Sequence, residues 1–398
     1  MKAVRPKRAR VVALVAVAAL GVAACSSSKT TSSGGSTTTA GSSGGGGGGG
    51  AALKLGFFGA LTGPNAQLGI NIENGEKLAV QQFNATNPAH TVTIDAFDSQ
   101  GLPSNANNGA TKLIGDKVVA VIGPAFSGES KAADPIFEQA GIPNVSASAT
   151  NVALAQNGWK YFHRVLADDS YQGPGDADYI VKTLGDKAVA VIDDNSTYGA
   201  GLATAFAGQV TKDGGSVAVT DHLDPNGADY GSTVNKVVAS HATAVFFGGY
   251  YDAAGRLIKQ LKAAGFTGAF MSGDGSEDVR FVQDAGGASV ADGAYLSCAC
   301  ADESNNPAAA QFVSAYKAAF GTAPQIYSAE AYDATNFVLA AIKSGATTPS
   351  AINSYLGSNS YTGLTKTIKF QSNGNISGGT IYVYKVSNGQ IVQFATTS

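Results

Sequence analysis

The chain is poor in the residues that most enzymes and metal sites require. Its four histidines, His90, His163, His222 and His241, are scattered through 398 residues, with no metal-ligand spacing. The body from Leu53 onward has no G-x-S-x-G elbow and no Gly-Lys dipeptide for a phosphate loop. No catalytic residue, cofactor or metal is therefore assigned, and the chain is not expected to be an enzyme. No apolar run after Leu53 is long enough to cross a bilayer. Excess positive charge is also missing, since 26 Lys and Arg stand against 29 Asp and Glu. Such a body offers no footprint for nucleic acid, and any anion site in it must be local and built from dipoles.

Positive charge concentrates where it has a different meaning. Lys2, Arg5, Lys7, Arg8 and Arg10 precede a continuous apolar run, residues 11–24. That run is too short for a membrane span and has the flanks of a secretory signal, so residues 1–24 are predicted to be a signal peptide. It ends Val22-Ala23-Ala24-Cys25, which resembles the lipobox of bacterial lipoproteins. The resemblance implies cleavage before Cys25 and a lipid on its sulfur, which places the body outside the cytoplasm, anchored to the cell membrane. Loss of the five charges would move the formal charge from −3 to −8. Residues 26–52 are nearly all Gly, Ser and Thr. This composition cannot bury a core and forms a flexible tether, with an r.m.s. span of roughly 30 Å.

The remaining cysteines are Cys298 and Cys300. In an extended segment both side chains share one face, near the upper limit of bridging distance. An exported location permits a disulfide. A local staple is favoured over two free thiols, and a metal site would need more ligands than this stretch offers.

From Leu53 to the C-terminus the chain is too long for one core of usual size, which suggests two domains. Short β-branched runs alternate with amphipathic helices, the pattern of an α/β protein with mostly parallel sheets. Strands are predicted at 53–59, 90–98 and 118–122, and at 143–146, with helices between. After an extended stretch at 159–165 comes a helix over 171–184. The run Val189-Ala190-Val191-Ile192 then repeats Val119-Ala120-Val121-Ile122, and the alternation restarts. A last group of helices, at 308–320, 329–344 and 350–356, precedes strands at 366–370, 381–386 and 391–394. Asn388-Gly389 supplies a two-residue hairpin signal.

Several polar residues fall at predicted strand ends, where open α/β sheets place their ligands. In the first half, Ser127 stands at a helix start and Ser148-Ala149-Thr150 follows a strand. Ser127 and Thr150 read either as ordinary N-caps or as hydroxyls beside free N–H groups suited to a carboxylate. In the second half Tyr198, Tyr250 and Asp274 each follow a strand. Asp274 reads as a loop acid, a helix cap or the fixed charge of a site. The tyrosines read as core packing or cleft walls. Taken together, dipoles on one side and a carboxylate on the other suit a zwitterionic amino acid held across a cleft.

The segments FFGALTGPNAQLG (57–69), VIGPAFSGES (121–130), SASATN (146–151), DDSYQGP (168–174), YGAGLA (198–203), FFGGYY (246–251) and MSGDG (271–275) occur in this order. In combination the body resembles the branched-chain amino acid substrate-binding proteins of ABC importers, the leucine/isoleucine/valine-binding type. The resemblance implies two Rossmann-like lobes of the periplasmic binding protein type I fold, joined by a three-strand hinge. The crossings fall near Asp168, Ala301 and Gln371, so the N-terminal lobe is 53–168 with 302–371 and the C-terminal lobe 169–301 with 372–398. It also implies that Ser127 and Thr150 bind the ligand carboxylate, that Ser148 offers its carbonyl to the ammonium, which Asp274 also holds, and that Ala149 belongs to the ligand-binding residues. Tyr198 and Tyr250 would line the cleft. Leu68 and Phe126 depart from the family pattern near the side-chain pocket, which leaves the preferred side chain open. The expected partners are an amino acid, branched-chain or otherwise apolar, and membrane permease subunits, with the protein a monomer. The alternatives are urea, a short amide or an aromatic acid as ligand, or a sensor in place of a transporter.

Overall fold

The computed structural model describes residues 50–300, 302–303 and 306–397. The predicted signal peptide, Cys25 and nearly all of the predicted tether lie outside the described residues. The first half builds β1 (Gly50–Gly59), α1 (Ala66–Ala85), β2 (His90–Asp98), α2 (Ala106–Gly115), β3 (Ala120–Ile122), α3 (Ser127–Ala140), β4 (Asn144–Ser146) and β5 (Phe162–Arg164). The second half begins with α4 (Asp169–Asp178), β6 (Ala188–Asp193), α5 (Thr197–Val210), β7 (Ser216–His222), α6 (Gly231–Ala239) and β8 (Ala244–Gly248). It continues with α7 (Tyr251–Ala263), β9 (Ala269–Ser272), α8 (Val279–Asp284), α9 (Ala288–Ala291) and β10 (Tyr295–Cys298). The chain then adds α10 (Ala310–Phe320), α11 (Ser328–Lys343), α12 (Pro349–Ser358), β11 (Tyr361–Thr362), β12 (Thr367–Ile368), β13 (Ile381–Ser387) and β14 (Gln390–Thr397).

Two large sheets result, beside the small β11-β12 pair, and they share a topology. The first is parallel, in the order β2-β1-β3-β4-β5. The second runs β7-β6-β8-β9-β10 in the same sense and ends in the antiparallel pair β13-β14. Each begins with its second strand outside its first, so the chain reverses direction across the sheet beside β1 and beside β6. Ligands of open α/β sheets bind beyond the strand carboxyl ends at such switch points. The interior strands β3, β6 and β8 are apolar runs buried on both faces, as interior parallel strands must be, whereas the edge strands β2 and β7 are partly exposed. Leu55, Val121, Ile122, Val189 and Phe246 are all inaccessible to solvent. The late helix α11 returns to pack on α1 of the first lobe. Contact is close because Gly75 has no side chain: a Cβ there would collide with the Ser328 carbonyl.

Several expectations are corrected. The predicted helix 171–184 begins earlier, because Asp168 caps it by accepting the Ser170 N–H (3.0 Å). It ends as a π-helical turn over Tyr179–Thr183. The strand expected at 366–370 shrinks to β12, paired only with β11. β10, predicted only as far as its Cys-x-Cys spacing, is an interior strand between β9 and β13. Cys298 and Cys300 are joined by a disulfide, with Cα atoms 5.0 Å apart. The Asn388-Gly389 hairpin forms as expected, with both residues at positive φ.

Candidate functional site

The carboxyl ends of the two sheets face each other across a small hollow. Its walls are Leu68, Ala125, Phe126, Ser127, Ser148, Tyr198, Tyr250, Asp274, Gly275 and Tyr327. It encloses about 210 Å³ between atoms, with free room for about one water molecule. The lobes meet around it through Asn151 Nδ2 to the Thr197 carbonyl (2.7 Å) and Tyr251 Oη to the Pro64 carbonyl (2.7 Å). The Phe126 and Tyr250 rings also lie 5.0 Å apart across it.

On the first wall, β3 ends in Gly123, whose φ of +119° and approach to the Phe58 carbonyl leave no room for a Cβ. A cis Gly123-Pro124 bond follows, and then α3 begins. Ser127 is not the cap of α3 but its first residue, since Phe126 occupies the cap position with extended backbone. The Glu129 carboxyl reaches back to accept the Phe126 N–H (3.1 Å) and is also bonded by the Ser99 hydroxyl. Burial raises its pKa to about 7. The first-turn N–H groups of α3 thus stand at the hollow with the partial positive charge of a helix start. Ser127 Oγ accepts the Asn151 N–H (3.2 Å), and Ser148 Oγ donates to the Ala125 carbonyl (2.5 Å).

Ala149 and Thr150 are set back from the hollow's wall. The Ala149 carbonyl is taken by Arg164 Nη1 (3.1 Å), which also bonds the Asn151 carbonyl (2.8 Å). Thr150 is not a helix cap, a role that Asn151 fills for the short turn after it. Its hydroxyl is buried without a partner of hydrogen-bonding geometry, close beside the Asp169 carboxyl. Arg164, fully buried, pairs with Asp168 (2.7 Å) and bonds Asn375 (2.7 Å). Asn375 in turn donates to Asp168 (3.0 Å), so Arg164 ties the loop of residues 149–151 to two crossing segments.

On the opposing wall Asp274 is enclosed, not a surface acid: 1% of it is exposed. It is not the cap of α8 either, which is Asp278. Its two oxygens accept the hydroxyls of Tyr198 and Tyr327, each at 2.6 Å. Burial raises its pKa, and the two hydroxyls work against that rise. Gly273 precedes it because a Cβ there would stand 2.7 Å from the Tyr198 hydroxyl. Tyr250 closes this wall, its ring 5.2 Å from that of Tyr198.

Two residues of this region were not among the site residues expected from the sequence. Tyr327 crosses from the segment that precedes α11 and is held at φ +66°, a conformation uncommon for a tyrosine. Its only sequence trace is an aromatic before a helix start. Asp169 is fully buried with both oxygens unpartnered. Its pKa is raised well above the ordinary carboxyl value by burial and by the Asp274 charge. In the sequence it reads as part of a crossing.

A hollow between two like sheets, dipoles on one side and an enclosed acid on the other, agrees with what the chain resembles. The family model described as periplasmic binding protein matches residues 52–390. The chain belongs to the periplasmic binding protein family. It is 29% identical over 336 residues to the leucine-, isoleucine-, valine-, threonine- and alanine-binding protein of Pseudomonas aeruginosa, covering 84% of this chain and 89% of that one. It is likewise 29% identical over 356 residues to a Leu/Ile/Val-binding protein homolog of Brucella melitensis, covering 86% and 93%. Among solved structures it matches the branched-chain amino acid transporter substrate binding protein of Streptococcus pneumoniae, in complex with isoleucine. The TM-score is 0.79 at 27% identity, over 87% of this chain and 99% of that one. The two sheets are therefore the lobes of a type I periplasmic binding protein fold. Periplasmic binding proteins are extracytoplasmic, and the homologues are substrate-binding components of transporters, not enzymes.

Proposed function

We propose that this periplasmic binding protein is the lipid-anchored receptor of an ABC importer, taking an amino acid into the interlobe hollow and delivering it to a permease. One observation carries the choice of ligand: an enclosed carboxyl, Asp274, bonded by two tyrosine hydroxyls and facing the start of α3 across a closed gap. An ammonium group has three donors and no acceptor, which suits a carboxylate that only accepts. The helix start, Ser127 and the Thr150 hydroxyl supply the complement for the ligand carboxylate. Leu68, Phe126 and Tyr250 give the hollow an apolar wall, which would meet a side chain of the branched-chain kind that the relatives' names describe once the Phe126 and Tyr250 rings part to admit it. The hollow as closed has room for about one water, so an amino acid enters only when the lobes separate. Residues 53–168 with 302–371 then move against 169–301 with 372–398, and ligand contacts made in the shut form bias the return. Cys25 carries the lipid, and the tether frees the body to meet the permease.

Calorimetric titration with leucine, isoleucine, alanine and glutamate tests the ligand. Charge-assisted hydrogen bonds of about 1.5–3 kcal/mol each, less the ordering cost, support a micromolar Kd, near −8 kcal/mol. Leucine or isoleucine is expected to bind most tightly and glutamate not at all. Silence from every amino acid, with heat from an aromatic acid or urea, would replace this ligand class. Lipidation is checked by the mass of the membrane-extracted protein and its loss in Cys25→Ser.

A further inference from the structure

A second cavity, with about 260 Å³ of free room against about 10 Å³ in the first hollow, lies between the turn after β9, the segment after β10, the start of α11 and the β13-β14 hairpin. Elements of both lobes therefore wall it, and Tyr327 lines it as well as the amino-acid hollow. Four carboxyl side chains face it, from Glu277, Asp302, Glu303 and Glu330, and no lysine or arginine does among the described residues. Lys366, which does not line the cavity, acts on Glu330 and Glu303 by its charge. Glu303 is engaged, accepting the Asn306 side-chain amide (2.8 Å). Glu330 is 2% exposed, yet its Oε1 has no hydrogen-bond partner. An unsatisfied buried oxygen on a cavity wall is costly unless something in the cavity donates to it. Apart from Gln325 and Gln390, the remaining lining is mostly apolar or aromatic, with Ile326, Ile391 and the rings of Tyr327 and Tyr384. This mixture suits a cation with a hydrocarbon body, whose charged end meets the carboxyls and whose stem meets the rings. A bare metal ion fits poorly: among the described residues no group of three acids, histidines or cysteines is arranged to ligate one.

We propose that this cavity is a second ligand site, for a small alkylammonium cation, with Glu330 as its main anchor and Glu277 as its partner. Because both lobes wall the site, its ligand favours the shut arrangement, which also favours the amino acid. By linkage the two affinities rise together.

The test uses the mature full-length protein and 1,4-diaminobutane at pH 8, above the value of about 7 to which burial lifts Glu330. Calorimetry is expected to show one binding event, weakened at least tenfold in Glu330→Gln and severalfold in Glu277→Gln. Asp274→Asn, which alters the amino-acid hollow and weakens a closure contact, should still bind the diamine, with a loss of no more than about fivefold. Leucine affinity should be unchanged within twofold in Glu330→Gln without diamine and should rise severalfold in the parent with diamine. The site is refuted if the parent gives neither heat nor thermal protection, or if both glutamine variants bind as the parent does. It is also refuted if Asp274→Asn abolishes the event, since the diamine would then occupy the hollow. The diamine titrations decide the site even if no amino acid binds. Glu277→Gln decides it should Glu330→Gln fail to fold.

Discussion

Tyr327 shows how one side chain can link recognition to closure. Its hydroxyl reaches Asp274 from the segment before α11, and under the proposed lobe division this hydrogen bond would exist only when the lobes are together. Asp274 has two oxygens with about four lone-pair directions, so the two tyrosines leave room for an ammonium. Tyr327→Phe removes about 1 kcal/mol from the closed form. Amino-acid affinity measured by calorimetry should fall about fivefold, with the melting temperature of the unliganded protein nearly unchanged. Glu129 gives a different kind of prediction. Its pKa is about 7 in the fold against an ordinary 4.5. Between those values the folded protein holds a proton that the unfolded chain has released. Stability therefore falls as pH rises from about 4.5 to about 7 and is flat above, a loss of roughly 3 kcal/mol from this group. His163 works in the opposite sense at lower pH. Its pKa is pushed down to about 4 by burial, so stability rises from about pH 4 to 6.5 on its account. Glu129→Gln keeps an acceptor for the Phe126 N–H and a donor toward Ser99. Denaturant melts of the two proteins should diverge steadily from pH 5 to pH 7, the variant gaining. Parallel curves would mean that Glu129 is ionised in the fold.

Single elements were legible to different degrees, for physical reasons. A buried parallel strand is a short apolar run, so β1, β3, β6 and β8 could be read directly. The helix start after Gly123-Pro124 was also plain, because those residues break a strand. Ser127, Ser148, Tyr198, Tyr250 and Asp274 came with the strand ends they follow. Leu68 and Phe126 came from departures within family motifs. Arg164 and Asn375 could not be read this way. They lie 211 positions apart, and only the crossing segments bring them together. Their network fixes the loop that carries Thr150. Arg164→Met strips a buried ion pair of one partner, leaving Asp168 uncompensated. The expected cost is about 3–5 kcal/mol of stability in chemical denaturation, with amino-acid affinity reduced at least tenfold as the loop loosens. A variant that melts normally and binds normally would mean the loop is held by backbone contacts alone. Tyr327 was illegible for a related reason, since it enters the site from a segment otherwise committed to the first lobe.

At the scale of the whole molecule, the repeated strand order explains why a site exists between the lobes at all. Each sheet opens a crevice at its own switch point, and facing the crevices encloses one hollow with two chemically different walls. Neither wall alone could hold both ends of a zwitterion. Closure should therefore depend on ligand, and the radius of gyration from small-angle scattering should fall when a bound amino acid saturates the protein. The central claim is that Asp274 holds an ammonium, and it is tested most directly by titrating the parent and Asp274→Asn with leucine and with 4-methylpentanoate, which is leucine without its amino group. The account predicts micromolar leucine binding in the parent, a loss of at least a hundredfold in the variant, and no measurable binding of 4-methylpentanoate to the parent. Equal affinity for the two compounds, or an Asp274→Asn variant that binds leucine as the parent does, would contradict it.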